Sequence, residues 1–181
     1  GLTVTTLAAN TAGNVELYAE EDIQVGSISA AAGNVMIDTD GAIDGITNDD
    51  TADLSGANVT LTANAGGIGA TDRLEITATG TLAADTSDDN GLIQIDSIGA
   101  VALGLIDAGS GNVNLDSTGA ITDGNGATNN VVAATLTITG DQAVTDIDTN
   151  VDTLALTTAA TSINENDGVD FAASKIGRAH V

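Results

Sequence analysis

The chain has 181 residues, 42% of them apolar, and sets 3 basic against 26 acidic residues for a formal net charge of −23. So few cations cannot displace counterions from phosphates or hold an anionic lipid surface, which excludes nucleic acid and basic-patch membrane attachment as partners. The lack of Cys excludes a disulfide framework, a thiolate metal site and a cysteine nucleophile.

Ala, Val, Ile and Leu supply the apolar content, while Tyr18 and Phe171 are the only aromatic residues. A compact globule usually fills its centre with a few large rings, so this chain must pack something narrower. With 22 Gly, no Pro and abundant Thr and Asn, it favours turns and strands over helices. In chain order, short alternating segments carry paired apolar positions: Leu2/Val4, Val15/Leu17, Val35/Ile37, Val59/Leu61, Leu74/Ile76, Ile93/Ile95, Val113/Leu115, Leu136/Ile138 and Leu154/Leu156. Alternation with period two marks each as a half-buried strand. Their first members are 13, 20, 24, 15, 19, 20, 23 and 18 residues apart, and such recurrence is the mark of a solenoid.

A second apolar position follows each pair from Val15 onward, eight or nine residues after its first member: Ile23, Ile43, Ile68, Leu82, Val101, Ile121, Val144 and Ile163. The coil therefore has two well-set sides, with insertions taken up on a third, for which Ile28, Ile46, Leu105, Ile147 and Phe171 are the candidates. Gly then Asn precedes the strand in GNVEL (13–17), GNVMI (33–37) and GNVNL (111–115), as tight corners need, and stacked Asn side chains can bond as a ladder. GAIDG (41–45) and GAITDG (119–124) lie 78 residues apart, which predicts a larger unit of about four coils. Outward positions read Tyr18, Asp38, Thr62, Thr77, Asp96, Asp116, Thr139 and Thr157, a Thr/Asp column on a solvated face.

These patterns predict an all-β chain folded as a parallel β-helix of about nine coils, with about 19–20 residues each. Such a rod would be roughly 43 Å long at the usual strand spacing. Each coil buries about three aliphatic side chains, worth roughly 1.5–3 kcal/mol apiece, against about 0.9 kcal/mol of repulsion between stacked surface carboxylates. A β-sandwich is the rival fold, but sandwiches space their strands irregularly and usually have an aromatic centre.

The stretches GANVTLTANAGGIGATDRLEI (56–76) and GAITDGNGATNNVVAATLTITGDQAVTDIDTNVDTLALTT (119–158), followed by SINENDGV (162–169), resemble the shaft repeats of filamentous-haemagglutinin-like giant bacterial surface adhesins. The resemblance implies a right-handed β-helical shaft, export across the outer membrane, and adhesion or surface coating at the cell surface. Its partners would be neighbouring repeats of a longer chain, with host or surface glycan or protein engaged by parts outside this segment. Neither a secretion-domain Asn-Pro motif nor a terminal β-barrel accompanies it.

Acidic clusters are the only candidates for chemistry. Calcium needs six to eight oxygen ligands, and the best placed are Asp85, Asp88 and Asp89, and Asn164, Asn166, Asp167 and Asp170. NEND (164–167) resembles a calcium-binding segment of cadherin-like repeats, so a calcium-binding adhesin module is the alternative reading; the plainer one is solvated turns. Paired carboxylates on adjacent coils could serve a glycosidase, but aromatic platforms and cations to hold a sugar are missing, so no catalysis is expected.

The repeat pattern runs through Ile163 and stops near Phe171, giving residues 1–174 as the solenoid segment. KIGRAHV (175–181) shares nothing with it. One codon set for these residues, AAG ATC GGA AGA GCA CAC GTC, spells a sequencing adapter, with a stop codon next. The expectation is a metagenomic fragment cut from a longer protein, with 175–181 as adapter read-through.

Overall fold

The computed structural model describes residues 1–8, 13–30, 32–158, 160–165 and 170–171. The described residues form nineteen strands and no helix, and every strand pairing is parallel. The chain is a parallel β-solenoid of about seven turns.

Three walls build its first half. The first stacks Val15–Ala19, Val35–Thr39, Val59–Ala63, Thr81–Asp85 and Val101–Asp107, and its inward column runs Val15, Val35, Val59, Leu82, Leu103. The second stacks Leu2–Val4, Ile23–Val25 and Ile43–Gly45, and single bridges extend its column from Ile43 through Ile68 to Ile93. The third carries Leu7, Ile28, Leu54, Ile76, Ser97 and Ser117 in register. Alternation puts the aliphatic member of each strand inside, where columns of Ile, Leu and Val form one continuous core.

Past residue 90 the cross-section changes. Strand Ile93–Ser97 meets the second wall at Ile93 and the third at Ser97, so one strand now serves both. The first wall bends in compensation: the register shifts between Leu82 and Ala84, and beyond the shift the column of Leu61 and Ala84 continues through Ile106, Val131 and Thr149. The fifteen-residue strand Ala143–Thr157 pairs along both limbs of the bent strand Val131–Thr139.

Three expectations need correction here. Steps along the third wall are 21, 26, 22, 21 and 20 residues (Leu7 to Ser117), a mean of 22 against the expected 19–20, so nine coils become about seven. At the usual strand spacing seven turns measure about 34 Å. The paired positions were counted as one side, but Leu2 stands on the second wall, Val15, Val35 and Val59 on the first, and Leu74 on the third beside Ile95. The 78-residue unit is likewise not a structural repeat, because Ile43 lies in the second wall and Ile121 in the first, between Val101 and Val144. Of the third-side candidates, Ile28 and Ile147 are buried, Ile46 and Leu105 are exposed, and Phe171 pairs with Leu154.

The corners explain the Gly, Asn, Ser and Thr content. Asn34 accepts from the Asn58 side chain at 2.9 Å, Asn14 accepts the Asn34 amide at 2.9 Å, and Asn58 accepts the Thr81 amide at 2.9 Å, so the expected Asn ladder exists on the first wall. Inward-turned Ser117 donates its hydroxyl to the Gly119 carbonyl at 2.8 Å, closing a corner from inside. At Gly91 the turns crowd: a Cβ there would sit 1.6 Å from the Gly66 carbonyl oxygen, which is rigid backbone. Gly91→Ala should therefore cost about 3 kcal/mol in urea unfolding. Gly99 has φ +97° and open space around it, so Gly99→Ala should cost only its backbone strain, about 1–2 kcal/mol.

Candidate functional site

The third wall faces solvent with a column of acids. Leu54, Ile76 and their neighbours point inward, so the alternating residues Asp53 and Glu75 project outward, and the register continues through Asp96 and Asp116 to Thr139 and Thr157. Four carboxylates thus stand on four successive turns. A groove of about 430 Å³ runs beside them, lined by Glu75, Asp96 and Asp116 with Asp50, Ser117 and Thr118. Arg73 is the only basic side chain among the described residues, and its guanidinium is bound to the Asp96 carboxylate.

Asp53 and Glu75 differ from the rest of the column in being buried, at 1% exposure each. The cover is the excursion 46–53, which leaves the second wall after Gly45 and rejoins the stack at Leu54. Glu75 accepts the amides of Asp50 at 2.5 Å and Asp49 at 3.3 Å, and Asp53 accepts the Glu75 amide at 3.0 Å. Burial pushes the Asp53 carboxyl up to about 7, opposed by the Glu75 N–H and reinforced by the charges of Glu75 and Asp49. Chemically Asp53 can hold a proton near neutrality, while the outer acids attract cations or accept hydroxyl donors.

A second polar centre closes a corner at 123–130. Asn130, fully buried, donates its side-chain amide to the Leu103 carbonyl at 2.7 Å, the Asn125 side-chain oxygen at 2.9 Å and Asp123 at 3.0 Å; its own oxygen accepts the Asp148 amide at 2.9 Å. The Asn130 amide, followed by the amides of Asn125 and Gly126, holds the half-buried Asp123 carboxyl below its ordinary range. The groups partner one another, so this is a structural corner.

The residues proposed for calcium lie elsewhere. Asp85 accepts the Ser87 amide at 2.9 Å, whereas Asp89 reaches back one turn to the Gly66 amide at 3.0 Å, and Asp88 is exposed in the turn between them. Asn164 donates to Asp148 at 3.0 Å. The backbone of Asp170 pairs with Thr153, and Asn166 and Asp167 lie outside the described residues, as does the tail 175–181. Among the described residues no three carboxylates or imidazoles converge so as to hold a metal ion.

No family model, no curated protein and no solved structure matches this chain.

The outward column was half legible. Asp96, Asp116, Thr139 and Thr157 do stack, but Thr77 pairs with Ser55, while Tyr18, Asp38 and Thr62 form a separate column on the first wall that continues to Asp85. Glu75 stands alone in sequence, so no acidic cluster marks it. Its signal was its position between Leu74 and Ile76, one step from the inward pair.

Proposed function

We propose that this chain is a structural and adhesive shaft segment of a large bacterial surface exoprotein, extracellular, with no catalysis of its own. The observation that carries this reading is the continuous stack: apolar columns and parallel ladders persist through about seven turns even where the cross-section changes past residue 90. Such a stack gives rigidity and reach, and its outer walls of Thr, Asn and Asp keep it solvated. The resemblance to adhesin shaft repeats supports the same reading. The groove on the third wall has no aromatic residue in its lining and its one neighbouring guanidinium is committed to Asp96, which favours a solvated surface over a sugar cleft.

Small-angle scattering on the purified chain should give a rod-like particle, and incubation with a panel of acidic and neutral polysaccharides should release no new reducing or unsaturated ends. Cleavage of any of them would overturn the reading. Beads coated with the chain provide the adhesive test, through capture of host cells or of glycans against uncoated beads. Calcium at millimolar concentration is expected to leave the melting temperature within about 1 °C, since no described cluster gathers the six or more oxygens that the ion needs. A rise of several degrees, abolished by Asp89→Asn or Asp167→Asn, would instead support the calcium-binding module.

A further inference from the structure

The excursion 46–53 is fastened in an unusual way. Residues 46–51 are exposed, and the tip is stiffened internally: the Thr51 amide donates to Asp49 at 3.1 Å, the Thr47 hydroxyl donates to the same carboxylate at 3.3 Å, and Asp50 takes φ +62°. Among the described residues, the hydrogen bonds that tie 47–52 to the body of the solenoid are the two from the Asp49 and Asp50 amides to the Glu75 carboxylate. Beneath them Asp53 and Glu75, neighbours on adjacent turns, are both buried.

Among the described residues nothing cationic offsets this pair. Asp53 is faced by Glu75 from the next turn and by Asp49 and Asp50 from its own excursion. From the adjoining segments, Asp44 accepts the Thr71 amide, Asp72 gives its carbonyl to the Gly45 amide, and Asp96 and Asp116 continue the column. Arg73, the one guanidinium nearby, is held by Asp96. An Asp53 carboxylate buried beside Glu75 without a counterion is costly, so its proton must be retained or the cover must open.

We propose that the strap 46–53 is a pH-controlled latch over the acidic groove, closed while the buried Asp53 carboxyl holds its proton and released when that carboxyl ionises. The elevated Asp53 value of about 7 sets its working range. A carboxyl raised above its ordinary 3.8 binds more protons closed than open. Its stabilisation of the closed state is therefore full in acid, falls from about pH 4 and is gone above about pH 7. Release gives Asp53 and Glu75 to solvent and leaves an open acidic wall from Asp53 to Asp116.

Amide hydrogen exchange across pH 5 to 8 tests this, with rates corrected for intrinsic chemistry and referred to the Val35 amide in the first wall. Exchange at Asp49 and Asp50 is expected to accelerate tenfold or more between pH 5 and pH 8. Asp53→Asn keeps the acceptor for the Glu75 amide without the charge and should hold the strap closed throughout. Glu75→Gln leaves one acceptor oxygen for the two amides and should leave at least one of them fast at every pH. Protection that is independent of pH in the native chain, or an Asp53→Asn profile equal to the native one, would overturn the proposal. If Asp53→Asn does not fold, the native Asp53 carboxyl followed by carbon-13 NMR decides. A midpoint near 7 that tracks the amide exchange supports the latch, and a midpoint below 5 refutes it.

Discussion

Replacing Ile95 by Asp is expected to abolish cooperative folding of the stack. Ile95 is fully buried, with Leu74 on the turn before it and Leu115 on the turn after. An Asp there brings a carboxyl into an aliphatic column with no donor and no cation, a cost of at least about 4–5 kcal/mol. Because each turn of a solenoid rests only on its neighbours, the damage divides the rod at that level. Urea unfolding followed by circular dichroism should show the single transition lost or split. The adjacent outward residue is the control: Asp96→Asn removes only a partly exposed ion pair with Arg73 and should cost less than about 1 kcal/mol. Equal effects at 95 and 96 would mean that the inward and outward assignments of this strand are wrong.

Asn130→Ala is expected to destabilise the chain by about 2 kcal/mol, the cost of removing a buried amide that makes four hydrogen bonds and of leaving the Asp148 amide without its acceptor. The Asp148 amide and the Leu103 carbonyl both lose a partner inside the corner where three turns meet. The loss should depend on pH with a defined sign. Asp123 is held below the ordinary carboxylate range chiefly by the Asn130 amide. A depressed carboxyl contributes stability that is present above its unfolded value and disappears as pH falls through the folded one. The variant's deficit should therefore be largest near neutrality and shrink in acid, so chemical unfolding of both proteins at pH 7 and pH 3 checks it. A deficit that grows in acid would remove Asn130 as the origin of the Asp123 shift.

The solenoid was legible because its core signal is local. Two apolar residues one position apart mark a strand wherever they occur, and their recurrence leaves little choice but stacking. Which wall each strand joins was not legible in the same way. Wall identity depends on how many residues the corners consume, and side-chain pattern alone does not record that. The clue was present in the spacings of 13 and 15 residues, at Val15 and Leu74, where the series passes from one wall to another. Identical GNV triplets at 33–35 and 111–113 misled for the same reason: Val35 stacks between Val15 and Val59, but Val113 stacks between Ile93 and Leu136. The carboxylate pair was hidden more deeply. Asp53 and Glu75 are 22 residues apart, and only the register of Leu54 on Ile76, together with an excursion that folds back over them, turns two ordinary surface acids into a buried pair.

The inter-turn ladders also have a mechanical meaning. Their hydrogen bonds connect each turn to the next along the stacking direction, as in the continuous register from Val15 through Val35 and Val59 to Leu82. Tension applied between the two ends of the chain therefore peels the outermost turn instead of shearing all turns at once. A turn occupies about 4.8 Å of the stack, yet its roughly 22 residues extend to about 70 Å once freed. Under load, the stack yields turn by turn, converting a short stiff spacer into a tether many times its folded length while the turns still stacked keep their cores.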